Sequence, residues 1–307
     1  MRQLTTALTA LCLAVVSLAL VSGQRPPADT IAGTNGEITV IPLMHGTVEL
    51  VEGAHVVLVD PGRSFLDPPF DAPPPPPAPP PPPAGAGKPG ANAPPPPPPA
   101  PPPVMRPPGS ITRKLYAGLK PPTLILVTDI HDDHFDPAVI KIVRGPNTII
   151  VGPDVVSSKL SGAGSLANGH LKTVDGVLIE AVPMYNLTTE PGEKEPFHTK
   201  GRGNGYIVTL GGKRIYFAGD TSCTPEIKAL KNIDVAFMPM NMPYTMTSAD
   251  AIQCLQAFKP KIVYPYHYIG PEFSTGPQAV EKALAGSGIE VRRRNFYVGL
   301  PPTMEVR

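Results

Sequence analysis

The chain has 307 residues, a formal net charge of +1 and 17% charged residues. This balance argues against a nucleic-acid partner, because nucleic-acid-binding domains normally carry a basic excess. Three cysteines are too few for a disulfide scaffold, and the composition also excludes a multi-span membrane protein and a wholly disordered chain.

The first 23 residues have the features of a secretory signal peptide. Arg2 supplies the positive charge, residues 7–21 form an apolar run, and small residues precede Gln24. The run is about 15 residues long, whereas a membrane-spanning helix needs about 20. We therefore expect residues 1–23 to be cleaved, and residues 24–307 to form a single domain that is secreted or periplasmic.

A proline-rich segment follows the first predicted strands. Residues 68–108 contain 24 of the 45 prolines. Proline fixes φ and lacks an amide hydrogen, so we expect polyproline II conformation there and neither helix nor sheet. A spacer, a ligand for an aromatic groove and a loop insertion are the alternatives. Because the segment lies between two strand-like runs, we favour a surface loop within the domain.

Apolar runs of strand length recur along the chain, and helical patterns separate the later ones. The predicted strands are 38–44, 47–51, 56–59, 124–127, 148–151, 177–182, 206–210, 214–217, 235–238 and 261–265. The predicted helices are 137–144, 225–230, 249–258 and 277–285. Hairpin-like strands followed by strand–helix alternation predict an α/β sandwich, in which two sheets are faced by helices.

Polar residues that can bind a metal follow three of these strands. They are Asp129, His131, Asp133 and His134 after the first strand, Asp220 after the second and His267 after the third. Loops at strand ends are where rigid scaffolds present chemistry. Imidazole together with carboxylate suits zinc, iron or manganese. A solvated turn before a helix is the simpler alternative for the 129–134 stretch, but three converging strand ends favour a metal site.

The same residues resemble the motifs of the metallo-β-lactamase fold. Residues 128–134 (Thr-Asp-Ile-His-Asp-Asp-His) look like its T-H-x-H-x-D-H signature, 218–221 resemble its bridging-aspartate motif, and 264–267 resemble its final-histidine motif. Residues 44–46, 58–61 and 182–186 are similar to the branch that includes ascorbate-6-phosphate lactonase and related metal-dependent hydrolases. The resemblance implies an αββα sandwich with residues 68–108 as an insertion.

The resemblance also implies two metal positions. The second would be formed by Asp133, His134 and His267 with Asp220 bridging, and the first by Asp129, His131, Asp220 and Asn186. Asp129 and Asn186 stand where the family has histidines. Oxygen donors there predict a weaker first position, or one suited to Mn²⁺ or Mg²⁺, so one or two divalent ions are expected, with zinc foremost.

The implied activity is hydrolysis of a small-molecule ester, lactone, amide or phosphodiester by water that a metal ion activates. Asp133, or the bridging Asp220, is expected to orient the nucleophile, and His198 to contact the substrate or protonate the leaving group. For His198, an exposed loop histidine is the equal alternative. His45 is expected either to support the site or to be a structural turn residue.

Two other functions remain open on the sequence alone. One is a metal-binding protein of the same fold without catalysis, and the other is an envelope-binding module that acts through the proline-rich segment. Nothing in the sequence brings Cys223 and Cys254 together, so we expect two separate, buried apolar side chains rather than a disulfide.

Overall fold

The computed structural model describes residues 27–34, 36–64, 67, 109–269, 273 and 275–297. Over these residues the chain forms two seven-stranded sheets with helices. The first sheet contains β1 (Asp29–Ala32), β2 (Glu37–Met44), β3 (Thr47–Glu52), β4 (His55–Val59), β5 (Leu124–Leu126), β6 (Ile149–Gly152) and β7 (Ala163–Ser165). Its helices are α1 (Ser110–Tyr116), α2 (Pro137–Val143) and α3 (Asp154–Ser157).

The second sheet is built by the second half of the chain. Its strands are β8 (Leu171–Val174), β9 (Val177–Met184), β10 (Gly203–Leu210), β11 (Lys213–Phe217), β12 (Val235–Pro239), β13 (Ile262–Tyr266) and β14 (Glu290–Val291). The accompanying helices are α4 (Pro225–Lys228), α5 (Ser248–Phe258) and α6 (Gly276–Leu284). Among the described helices, none has the length and apolar character needed to cross a lipid bilayer.

Both sheets have the same mixed topology. In the first sheet β1 to β4 pair antiparallel, and β4 to β7 pair parallel. In the second sheet β8 to β11 pair antiparallel, and β11 to β14 pair parallel. Parallel neighbours need a crossover connection, and a helix lies in each of these connections. The predicted α/β sandwich is confirmed.

The hydrophobic core explains the layers. One buried cluster joins apolar side chains of both sheets with those of α5 and α6. A second cluster joins α1, α2 and α3 to the first sheet; in it Val139 and Ile140 of α2 pack with Ile125 and Ile150. Every residue of β12 is buried, as expected for a parallel strand covered on both faces.

Local sequence signals set the helix starts near the centre. Asp136 accepts hydrogen bonds from the amides of Ala138 and Val139, at 2.8 and 3.2 Å, and Pro137 occupies the first helical position of α2. At α5, Thr247 and Asp250 form a reciprocal capping box. These caps fix the residue at which each strand-end loop finishes and the next helix begins.

The sequence prediction missed four strands, β1, β7, β8 and β14, and these are the four sheet edges. An edge strand pairs on one side only, and its faces are half exposed, so its apolar pattern is weak. The short helices α1 and α3 were also missed, and neither begins with a side-chain cap of the kind that marks the start of α2.

The two ends of the proline-rich segment are joined by hydrogen bonds. The buried carboxylate of Asp67 accepts from the amides of Ile111 and Thr112, at 3.1 and 2.6 Å, and from the Thr112 hydroxyl at 2.7 Å. The Ser64 amide donates to the same hydroxyl at 3.0 Å. The chain therefore enters and leaves this segment at the start of α1. Residues 68–108 themselves, like residues 1–23, lie outside the described residues.

The expectation of two separate cysteines was wrong. Cys223 and Cys254 form a disulfide with an S–S distance of 2.07 Å and a Cα–Cα distance of 5.7 Å. Both side chains are buried, as expected. They are 31 residues apart in sequence, and only the packing of the loop after β11 against α5 brings them together.

Candidate metal centre

The ends of six strands from both sheets meet at one edge of the sandwich. His45 follows β2, Asp60 follows β4, Asn186 follows β9, Asp220 follows β11 and His267 follows β13. The motif of residues 128–134 follows β5. Gly62 is required beside this motif, because a Cβ atom there would lie 2.0 Å from the carbonyl oxygen of Asp133. The loops therefore bring ionisable side chains from distant parts of the chain together.

The inner cluster consists of Asp133, His134, Asp220 and His267, whose candidate ligand atoms lie within 4.8 Å of one another. The Nε2 atoms of His134 and His267 are 3.1 Å apart. Asp220 Oδ1 lies 3.3 Å from the first and 3.0 Å from the second. Asp133 Oδ2 lies 3.6 and 3.5 Å from the same two nitrogens. Four donor atoms thus converge, as the sequence predicted.

The inner cluster fits a divalent cation. Asp220 Oδ1 is buried and has no hydrogen-bond partner among the described residues. Burial raises the pKa of the Asp220 carboxyl, but the nearby His267 and His134 outweigh it and lower the pKa below its usual value. An ionised, unpartnered carboxylate oxygen between two imidazole nitrogens is costly without a cation. Two nitrogen and two oxygen donors suit zinc.

His134 is oriented by Asp60. Asp60 Oδ2 lies 2.8 Å from His134 Nδ1, and the Asp60 carboxylate also accepts from the amide and the hydroxyl of Thr128, at 2.7 and 2.6 Å. All three residues are buried. A carboxylate on Nδ1 holds the proton there, and this leaves the Nε2 lone pair directed into the cluster. The sequence analysis quoted Asp60 only within a motif and assigned it no role.

His45 connects Tyr297 to Asp133. The Tyr297 hydroxyl oxygen accepts from the amides of Tyr268 and Ile269, at 2.9 and 3.1 Å, and lies 2.5 Å from His45 Nδ1. With its oxygen accepting twice, the hydroxyl donates its own proton to His45 Nδ1. His45 then carries its proton on Nε2 and donates it to Asp133 Oδ2 at 3.1 Å. Burial lowers the pKa of His45 to about 3, in agreement with a neutral ring.

The outer cluster consists of Asp129, His131 and His198. His131 Nδ1 lies 2.6 Å from Asp129 Oδ2 and 3.2 Å from His198 Nε2. His198 Nε2 is also 3.4 Å from Asp220 Oδ2. Asp220 therefore faces the inner cluster with one oxygen and the outer cluster with the other. The side chain of His131 is 46% exposed, so the outer cluster lies on the solvent side.

The structure gives Asn186 and His198 other positions than the sequence predicted. Asn186 Oδ1 accepts from the His198 amide at 3.0 Å and lies 2.9 Å from His198 Nδ1, while Asn186 Nδ2 donates to the Tyr244 carbonyl at 2.9 Å. The Asn186 amide is therefore committed to orienting His198. His198 is buried rather than exposed. It sits on a loop instead of a strand end, so the strand-end rule did not identify it as a candidate ligand.

Arg202 is a charged residue that the sequence analysis did not single out. Its Nη2 lies 3.2 Å from Asp129 Oδ1 and 3.0 Å from Asp129 Oδ2. Hydrogen bonds from His131 and His198 outweigh burial and hold the pKa of Asp129 well below its usual range. Asp129 is thus an ionised carboxylate surrounded by donors. A single arginine in a glycine-rich loop has no sequence pattern that would predict this contact.

Comparison with known proteins agrees with this centre. The β-lactamase superfamily domain matches residues 42–267, a range that includes both clusters. The chain belongs to this superfamily and, within it, to the UPF0173 metal-dependent hydrolases. One such hydrolase, from Thermococcus kodakarensis, is 33% identical over 177 residues, which are 55% of this chain and 76% of that protein. The predicted fold and the expectation of a metal-dependent hydrolase are confirmed at this level.

Solved structures show the same relationship. A Parabacteroides distasonis protein described as a metal-dependent hydrolase is 33% identical, with a TM-score of 0.66 over 88% of this chain and 98% of that chain. CmlA, a diiron β-hydroxylase from Streptomyces venezuelae, has a TM-score of 0.51 at 13% identity, over 82% of this chain and 51% of that chain. The likeness to CmlA is one of fold alone.

Proposed function

We propose that this chain is an exported enzyme that hydrolyses an ester, lactone, amide or phosphodiester bond of a small molecule with zinc in its inner cluster. The observation that carries the proposal is the ionised Asp220 Oδ1, which has no hydrogen-bond partner among the described residues and lies between the imidazoles of His134 and His267. A divalent ion bound there supplies a water of lowered pKa and polarises the substrate oxygen that gains charge. Mn²⁺ or Mg²⁺ is the alternative where oxygen donors dominate.

Asp133 is proposed to orient the attacking water. Its side chain is 20% exposed, the largest exposed fraction in the inner cluster, so it lies at the opening. Burial raises the pKa of Asp133, but His134, His267 and His45 outweigh it and keep the pKa well below its usual value. An ionised carboxylate accepts hydrogen bonds only, and the bond from His45 restricts its rotation. Asp133 therefore holds a water by accepting its hydrogen.

His198 is proposed as a fixed member of the outer cluster instead of a proton donor to the leaving group. Its Nδ1 is held by Asn186, and its Nε2 faces Asp129 and Asp220. Asp129 and Asn186, in place of the family's histidines, then have separate roles. Asp129 is a member of the outer cluster. Asn186 holds in place the ring of His198, which is another member.

A cleft beside Asn186 supports a small-molecule substrate. Its volume is about 240 Å³, and its lining includes Thr188, Ser222, Lys228 and Gln253. Pockets for drug-sized ligands are typically about 300–1,000 Å³, so this cleft would hold a small ligand or part of a larger one. Polar groups in this cleft favour a polar substrate, and the resemblance to the ascorbate-6-phosphate lactonase branch makes a lactone the first candidate.

Export is supported by two features. The leader has the composition of a signal peptide, and the Cys223–Cys254 disulfide is typical of an oxidising compartment. A contact between the proline-rich segment and the cell envelope is compatible with export. In this proposal hydrolysis is the main function, and the envelope contact is secondary.

The test is hydrolysis by the purified mature protein loaded with Zn²⁺ or Mn²⁺. The panel contains p-nitrophenyl acetate, a γ-lactone and bis(p-nitrophenyl) phosphate. We expect activity on one class that is lost in His134→Ala and kept in His55→Ala, a control whose partner is Asp175, outside both clusters. Retention of metal without hydrolysis of any class would favour the non-catalytic metal-binding protein.

A further inference from the structure

Arg202 places a permanent positive charge inside the outer cluster. Its Nη2 contacts both oxygens of Asp129 and lies 3.5 and 3.4 Å from the two ring nitrogens of His131. The turn that carries it is held by the Arg202 amide, which donates to the Thr199 carbonyl at 3.2 Å, and is followed directly by β10. The guanidinium is therefore positioned by the fold next to Asp129.

The charges of the two clusters differ. In the inner cluster Asp133 and Asp220 form ion pairs only with histidines among the described residues. In the outer cluster Asp129 is the only carboxylate apart from the shared Asp220, and Arg202 neutralises it. A divalent ion entering the inner cluster meets two carboxylates whose partners are imidazoles that can themselves become ligands. At the outer cluster it meets an ion pair that is already complete.

The donors around Asp129 respond differently to a metal. His131 and His198 can act as ligands, because a neutral imidazole offers a lone pair. Arginine stays protonated in proteins, so its charge persists at any accessible pH. A cation in the outer cluster would have to share Asp129 with a guanidinium or displace it. Either outcome weakens binding there.

We propose that Arg202 takes the place of a second metal ion. The protein holds one divalent ion tightly, in the inner cluster, and the Arg202 guanidinium supplies the positive charge of the outer cluster. The inference shares with the proposed function the premise that the inner cluster binds metal.

The test is metal stoichiometry of the purified mature chain. The protein is stripped with a chelator, titrated with Zn²⁺ or Co²⁺, dialysed and analysed for metal, and the Co²⁺ absorption is followed during titration. We expect one retained ion per wild-type chain and two per Arg202→Met chain, with second-ion affinity raised on the order of tenfold or more. Arg202→Lys keeps the charge and should retain one ion. Lys200 lies on the same loop as Arg202 and pairs with Glu226. Lys200→Met removes that charge and should also retain one ion.

Two retained ions in the wild type would overturn the proposal, and so would an Arg202→Met chain that takes up no second ion. Circular dichroism checks folding, and Arg202→Gln replaces Arg202→Met if that variant does not fold. The measurement needs no substrate. A correct metal count without hydrolysis would therefore reject the proposed function and keep this inference, and hydrolysis with two ions would do the reverse.

Discussion

Two histidines of the centre, His134 and His198, are oriented by partners outside the two clusters. Asp60 holds Nδ1 of His134, and Asn186 holds Nδ1 of His198. In both cases the Nε2 atom is left facing the cluster, and the proton position is set before any ligand arrives. His267 differs, since its buried Nδ1 has no hydrogen-bond partner among the described residues. Orientation of the imidazoles therefore depends on a small number of buried polar contacts.

The two clusters should respond differently to loss of one residue. His134→Ala removes an imidazole from the inner cluster and should lose nearly all metal on dialysis. Asp129→Ala should keep about one ion per chain, because the inner cluster keeps its full donor set. Metal analysis after dialysis, with circular dichroism to confirm folding, checks this. If Asp129→Ala were empty and His134→Ala loaded, the assignment of the clusters would be reversed.

Tyr297 should act on Asp133 through His45. Tyr297→Phe removes the proton that His45 Nδ1 accepts and leaves two buried amides unpaired, at a cost of about 1–3 kcal/mol each. We expect zinc affinity to fall about 10- to 100-fold, the effect usual for residues that orient ligands. The Co²⁺ absorption bands should also shift, because the Asp133 carboxylate is freed.

Tyr268→Phe is the matched control for Tyr297→Phe. The Tyr268 hydroxyl donates to the Arg294 carbonyl at 2.8 Å and does not contact either cluster. Equal metal affinity and equal Co²⁺ spectra in the two variants would contradict the positioning role of Tyr297.

At the scale of elements, the loop after β11 is the most constrained. It carries Asp220 and, three residues later, Cys223, whose disulfide ties the loop to α5. Gly219, at φ 64°, makes the turn into this loop, and its amide donates to the Tyr266 hydroxyl at 2.9 Å. A Cβ atom there would lie 2.5 Å from the Met184 sulfur. The shared carboxylate of the centre is thus anchored on both sides.

Removal of the disulfide should destabilise the protein without abolishing the centre. Closing a loop of this length contributes about 3–4 kcal/mol in the chain-entropy description. The Cys223→Ala/Cys254→Ala double variant should lose that much free energy of unfolding in urea and keep its inner-cluster metal. Reducing agent should destabilise the wild type and leave the double variant unchanged. Equal sensitivity of both proteins to reduction would show that the bond is not formed in solution.

At the scale of the whole molecule, the domain is built to tolerate the proline-rich segment. Asp67 and Ser64 on one side bond to residues of α1 on the other, so the flanking strands are held together without residues 68–108. Replacing this segment with a short glycine–serine linker should leave metal binding unchanged. It should raise the free energy of unfolding by about 1–2 kcal/mol, because a shorter loop costs less entropy to close.

Urea unfolding and a cell-envelope pelleting assay test the deletion. Loss of folding would show that residues 68–108 belong to the core. Loss of envelope association with unchanged hydrolysis would identify the segment as the envelope contact.

The mature chain should begin near Gln24. A short apolar run with small residues at its end is a signal for cleavage during export. N-terminal sequencing of protein recovered outside the cytoplasm checks this, and an intact chain starting at Met1 in the membrane fraction would contradict it.

Much of the fold and part of the centre follow from local sequence. All ten predicted strands correspond to strands of the two sheets, because paired interior strands carry continuous apolar runs. The residues of the inner cluster were recognisable because each follows such a strand. Asp60 and Tyr297 were not assigned a role, since a buried hydrogen bond to a ligand has no local pattern.

The interior strands, the helices α2, α4, α5 and α6, and the metal-capable residues at strand ends are readable from the chain alone, because each depends on neighbours a few positions away. Which polar groups meet is not readable in this way: Tyr297 meets His45 across 252 positions, Asn186 meets His198, Arg202 meets Asp129, and Cys223 meets Cys254. These pairings depend on how two sheets pack and where each side chain points. Neither property is encoded in periodicity or spacing along the chain.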